Sequence, residues 1–239
     1  MMALPKVNET LNFTMKIPST GKRVKYRPYL VKEEKVLLQA FESGDVATCL
    51  EAMVDTLSAC IDSKEKVDVS ELATFDIEYM FTQVRGKSVG ENSTIAIKCK
   101  ECEEVNPYVI NLDELEIKVG KADNVIKIND DISVEMKYPT YRGFLNQNLE
   151  NVTEKDTDAM FGVLASSISA VLTEEERIDC SKEDPSSVMD FLNSMTASQL
   201  QEVAKFMEDM PALKHLAKFD CQKCGTHNEL ELKGLSDFF

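Results

Sequence analysis

Two ten-residue stretches decide how this chain is read: Ile97-Lys-Cys99-Lys-Glu-Cys102-Glu-Glu-Val-Asn106 and Phe219-Asp-Cys221-Gln-Lys-Cys224-Gly-Thr-His-Asn228. They align without a gap. Each places an apolar residue two positions before the first cysteine and an asparagine four positions after the second. Period-two alternation flanks both, predicting strands at 94–98 and 107–112 around the first and at 214–220 and 229–233 around the second. A C-x-x-C turn delivers two thiolates to one ion, and a tetrahedral zinc takes four at about 2.3 Å. Two such knuckles facing one another complete a closed structural site. Cys99, Cys102, Cys221 and Cys224 are therefore the expected ligands of one structural Zn ion. The 118 residues between the pairs exceed ordinary ribbon spacing, but loop closure costs little more as a loop lengthens.

Other readings of the cysteines stay open. A C-x-x-C pair also serves thiol oxidoreductases, where it opens a helix after a strand in a βαβ setting; neither loop has that context. His227, three residues beyond Cys224, is an alternative ligand or a solvated hairpin histidine. Cys49 and Cys60 fall on the apolar face of a helix and read as small buried hydrophobes. Cys180 has no assigned role, and His215 reads as structural.

Outward from the knuckles, the N-terminal part reads as a β-hairpin: Leu11, Phe13 and Met15 alternate, Pro18-Ser-Thr-Gly21 supplies a turn, and Val24 and Tyr26 return. Two helices follow, the second with Val46, Cys49, Leu50, Met53, Val54, Leu57, Cys60 and Ile61 at helical spacing. A third is expected from about Thr74, closed by Gly86 and Gly90. Alternation resumes at 125–128 and 132–138. Met160, Val163, Leu164, Ser167, Ile168 and Val171 form another helical stripe, too short to span a membrane. The acidic segment 172–187, with Pro185, reads as a linker. Thr196 with Gln199 reads as a capping box. The expected class is α+β: a helical protein with an N-terminal β-hairpin and a small antiparallel zinc-ribbon-like module. Its expected domains are residues 1–90, a discontinuous β-module of 91–138 with 214–239, and a helical insertion at 139–213.

The charge balance narrows the partners. There are 27 Lys and Arg against 42 Asp and Glu among 239 residues, a formal net charge of −15. That disfavours a sequence-independent grip on nucleic acid, which needs clustered cations, and docking on anionic membrane. One basic stretch remains on the hairpin and the following helix. Arg23, Lys25, Arg27, Lys32 and Lys35 are candidate partner-binding residues, best suited to an acidic protein surface. With Tyr26 and Tyr29 nearby, a zinc-ribbon nucleic-acid binder is the rival reading, although the first knuckle carries Glu101, Glu103 and Glu104 where such ribbons carry Lys or Arg. No phosphate loop, H-E-x-x-H or G-x-S-x-G is present, so no enzyme is expected. The early residues hold six cations without an apolar run, and no targeting segment is expected.

Four strings carry a resemblance: Ala3-Leu-Pro-Lys6; Pro18-Ser-Thr-Gly-Lys-Arg-Val-Lys-Tyr-Arg-Pro-Tyr-Leu-Val-Lys-Glu-Glu-Lys-Val-Leu-Leu38; Phe75-Asp-Ile-Glu-Tyr79; and Gly234-Leu-Ser-Asp-Phe-Phe239. Together they resemble the baseplate hub assembly protein family of T-even-like contractile-tailed bacteriophages, most clearly over about residues 3–90 and at the C-terminus. The resemblance implies a virus-encoded, non-enzymatic protein needed to build the central hub of the tail baseplate, either as a hub subunit or as an assembly catalyst. It implies other tail and hub proteins as partners, a tape measure protein among them. It places the molecule in the host cytoplasm during assembly or in the virion baseplate, and it brings no catalytic residues.

Overall fold

The computed structural model describes residues 12–115, 117, 124–145, 157–234 and 237–238. Leu11 of the expected hairpin and the Ala3–Lys6 string lie outside the described residues. In chain order the elements are β1 (Phe13–Lys16), β2 (Arg23–Tyr26), α1 (Val31–Ser43), α2 (Val46–Cys60), α3 (Thr74–Ser88), β3 (Asn92–Lys98) and β4 (Val105–Asn111). Then come β5 (Val125–Lys127), β6 (Ser133–Met136), α4 (Tyr141–Leu145), α5 (Thr157–Ser166), β7 (Ile168–Leu172) and β8 (Arg177–Asp179). The last four are α6 (Pro185–Asn193), α7 (Ala197–Glu208), β9 (Lys214–Asp220) and β10 (His227–Lys233). The α+β class and the N-terminal hairpin are as read from the sequence. The chain divides into two compact units, one of residues 1–69, 75–118 and 212–239, the other of 70–74 and 119–211.

In the first unit, β1 and β2 pair antiparallel around the Pro18–Gly21 turn. Gly21 sits at φ 70° and donates its N–H to the Ile17 carbonyl, a conformation that favours glycine. Alternation buries Met15, Ile17, Val24 and Tyr26 on one face. The turn is anchored to α3, where fully buried Asp76 accepts the Ser19 N–H at 2.8 Å and its hydroxyl at 2.5 Å. β2 continues onto the end of α2 through Arg27 N–H to Cys60 O and Asp62 N–H to Lys25 O. The third helix begins at Thr74 as expected, but Gly86 lies inside it, since the helix runs on to Ser88. The hairpins β3–β4 and β9–β10 share a core of Ile97, Ile110, Leu112, Leu213, Leu232 and Phe238.

Lys32-Glu-Glu-Lys35 does not form a uniformly exposed face. Glu33 is 8% exposed and accepts from the Arg27 guanidinium at 2.8 Å and the Leu30 N–H at 2.8 Å. Burial alone would raise its pKa, but these donors and Lys32 hold it down at about 2. The folded chain therefore binds fewer protons here than the unfolded one, whose carboxyl titrates near its ordinary value. This stabilisation is complete above about pH 5 and is lost as pH falls toward 2. Glu33→Gln is expected to cost about 2–3 kcal/mol at pH 7. Urea melts at pH 7 and pH 3 should show the gap from the parent protein narrowing with acid.

The second unit is built on a four-stranded antiparallel sheet ordered β5-β6-β7-β8. Three expectations change here. The stripe Met160–Val171 is not one helix. α5 ends at Ser166, where the N–H of the buried Ser167 still makes the last helical bond to the Val163 carbonyl and its hydroxyl donates to the same oxygen. β-branched Ile168 and Val171 then pair with β6, which suits their stiff side chains. The strands at 125–127 and 133–136, read with the knuckle module, pair with each other, and the second pairs with β7, within this unit. Nor is 172–187 a linker. Arg177 makes a two-pronged ion pair with Glu135 at 3.0 Å, and Asp179 and Asp184 accept the Ser181 and Ser186 N–H groups. Pro185 opens α6, where its fixed φ is suited to the first turn. The Thr196–Gln199 capping box forms as read. Val134, Met136, Leu164, Ile168, Leu192 and Phe206 fill the core.

Candidate metal centre

β3–β4 and β9–β10 are two copies of one local design, offset by 122 residues so that Cys99, Cys102 and Asn106 correspond to Cys221, Cys224 and Asn228. In the first turn Cys99 N–H donates to Glu104 O and Glu103 N–H to Cys99 O; in the second Cys221 N–H donates to Thr226 O and Gly225 N–H to Cys221 O. The corresponding residues Glu103 and Gly225 both lie in the left-handed region, at φ 56° and 72°. Glycine adopts it freely, whereas glutamate does so at a cost of about 1 kcal/mol. Glu103→Gly is accordingly expected to raise the unfolding midpoint, by up to about 1 kcal/mol of stability in urea titration.

The knuckles interlock reciprocally. Asn106 Oδ1 accepts the Gln222 N–H at 2.9 Å, and Asn228 Oδ1 accepts the Lys100 N–H at 3.0 Å. The same asparagines donate to Glu104 O and Thr226 O in their own turns, at 2.8 and 2.7 Å. Their Nδ2 atoms lie 3.7 Å from Cys221 Sγ and 3.6 Å from Cys99 Sγ. Both are almost fully buried. The repeated asparagine was visible in the sequence, but its crossing to the opposite turn was not.

This interlock gathers all four thiols. Cys99 Sγ is 3.7 Å from Cys224 Sγ, Cys102 Sγ is 3.6 Å from Cys221 Sγ, and all four lie within 4.8 Å of one another. A tetrahedron of thiolates about 2.3 Å from a central ion has edges near 3.8 Å. The cluster can therefore hold a metal ion. Its thiols are inequivalent. The Cys102 and Glu101 N–H groups lower the Cys99 pKa, and the Cys224 N–H brings Cys221 down to about 6. Cys102 receives the Glu104 N–H, yet its crowding by Cys224, burial and the other two sulfurs pushes it up to about 12. Four sulfurs so close together need a cation to ionise together.

His227 points away from the sulfurs, with Nδ1 2.8 Å from Asp220 Oδ1. His215 Nε2 meets Tyr108 Oη at 3.1 Å. Cys60 is buried and its thiol is pushed up to about 11 by that burial, while Cys49 is half-buried, 3.3 Å from Ala40 O. Of the candidate partner-binding cations, Arg23 and Lys25 are exposed on β2, and Lys32 and Lys35 on α1. Arg27 is half-buried and committed to Glu33, Pro28 O and Ala59 O.

A family model described as T4 bacteriophage base plate protein matches residues 9–239, spanning both units and both knuckles. The chain belongs to this family. No curated protein and no solved structure matches it. As a T4-like phage base plate protein it has a structural role in the tail baseplate, in contact with other baseplate proteins. Among the described residues no helix is long and apolar enough to cross a membrane.

Proposed function

We propose that this base plate protein works without catalysis in building the baseplate hub, as a hub subunit or an assembly chaperone, with one zinc ion structuring its knuckle module. The four-thiol cluster carries the reading. Its spacing suits a closed tetrahedral site, which contributes to folding and leaves no open coordination position for chemistry. Zinc would be held by Cys99, Cys102, Cys221 and Cys224, and it would fix β3–β4 against β9–β10. Hub or tape-measure-like proteins would be held by the surfaces of the molecule, and a chaperone would thereby cover surface that otherwise aggregates.

The surroundings of the cluster favour this over nucleic-acid binding. Lys223, beside the thiols, is paired with Glu104 at 2.8 Å, and Lys218 with Glu229 at 2.7 Å. The test is quantitative mass spectrometry of purified particles together with elemental analysis of the isolated protein. One zinc per chain is expected. Recovery in mature particles at a fixed ratio to other tail proteins marks a hub subunit, and recovery only in assembly intermediates marks a chaperone. Absence from both overturns the reading.

A further inference from the structure

The two knuckle hairpins repeat each other in backbone but not in how their interface is closed. On the side where β4 meets β9, Tyr108 packs against His215 and Phe219 with ring centroids 5.9 and 6.3 Å apart. The 122-residue offset places Leu230, Ser93 and Ile97 at the corresponding positions on the β3 and β10 side. These smaller side chains leave a groove of about 550 Å³, lined by β3 from Thr94 to Lys98 and by Leu230, Leu232 and Asp237.

Five consecutive β3 residues line the groove, so it runs along the edge of the strand. The register and the bonds Cys99 N–H to Glu104 O and Leu112 N–H to Glu91 O turn the odd-numbered backbone groups of β3 toward β4. The N–H and C=O groups of Thr94, Ala96 and Lys98 face the other way, and no partner for them is found among the described residues. Pro107, opposite Ala96, fits the same register, because that pair exchanges no ladder bond.

We propose that this groove takes an extended segment of another baseplate protein, which adds a strand to the β3 edge. Alternate apolar side chains of that segment enter between Ile95 and Ile97 on one wall and Leu230 and Leu232 on the other. The exposed Lys98 and Asp237 at the groove favour a segment with an acidic residue toward Lys98 and a basic one toward Asp237. A second copy offering its own β3 would not fill the groove, since its Ser93, Ile95 and Ile97 are turned into its own module. The inference rests on the baseplate reading and names the partner's chemistry.

The test uses the full chain in infected cells, carrying a photo-crosslinking benzoylphenylalanine at Thr94 or, separately, at the exposed Leu38 of α1. The Thr94 probe is expected to capture one contiguous, alternately apolar segment of a baseplate protein. A synthetic peptide of that segment should bind the purified protein. Ala96→Pro, which removes an outward donor and spares the β3–β4 ladder, should weaken binding at least tenfold. Leu230→Tyr, which copies Tyr108 into the groove, should do the same. Metal content and melting should be unchanged in both. Capture within the same chain or of a second copy, a segment lacking alternation, or undiminished binding by either variant overturns the proposal. Capture of baseplate proteins by the Leu38 probe alone refutes the groove and leaves the baseplate reading standing; capture by neither refutes both.

Discussion

Replacing Cys221 and Cys224 by serine is expected to abolish metal binding, unfold the knuckle module and block assembly. Structural zinc contributes about 10–16 kcal/mol to folding in isolated finger peptides. Here the hairpins also share an apolar core that includes Leu232 and Phe238, so the loss is expected to be smaller, several kcal/mol. Without the cation the remaining sulfurs still crowd together, and the reciprocal Asn106 and Asn228 bonds lose the geometry that holds them. Amide hydrogen exchange should therefore accelerate across β3, β4, β9 and β10 while α6 and α7 stay protected. Removing the metal with a strong chelator should reproduce the pattern in the parent protein. A metal-free variant with all four cysteines changed to serine that kept full stability and assembled normally would end the structural-zinc reading.

Asp76→Ala is the second large effect. Asp76 is fully buried in the first turn of α3 and accepts two hydrogen bonds from Ser19. A bond to a charged group contributes about 1.5–3 kcal/mol, and a carboxylate near a helix N-terminus adds about 0.3–1. Alanine removes all of this and leaves the Ser19 N–H without its acceptor. The expected loss is about 3–5 kcal/mol in urea unfolding. Asp76→Asn keeps an oxygen for the Ser19 N–H and should lose about half as much. Exchange at the β1–β2 turn should rise in step. A loss below about 1 kcal/mol for the alanine variant would show that the turn is held by its apolar contacts instead.

Features set by neighbouring residues could be read from the chain. The C-x-x-C spacing and its alternating flanks marked two hairpins and four thiols, because a turn and its adjoining strands involve residues only a few positions apart. The Thr196–Gln199 box and the start of α3 at Thr74 were legible for the same reason. The end of α5 was not. Met160–Val171 satisfies a helical period throughout, and the chain turns to strand at Ile168 because β6 is there to pair with it. The acidic residues of 172–187 resembled a linker only while their partners were unknown; Glu135 and the serine N–H groups give the segment its order.

By itself, then, the sequence determined the α+β class, the hairpins and the identity of the four thiols. The tertiary structure decided that Asn106 and Asn228 cross between the knuckles and that Arg27 is committed to Glu33. It also decided that one side of the knuckle interface is filled by aromatic rings while the other is left open. Each of these depends on residues far apart in the chain, and no local period records which distant group will meet them. For the thiol cluster both levels were needed: spacing supplied two half-sites, and only the fold brought their sulfurs within 4.8 Å.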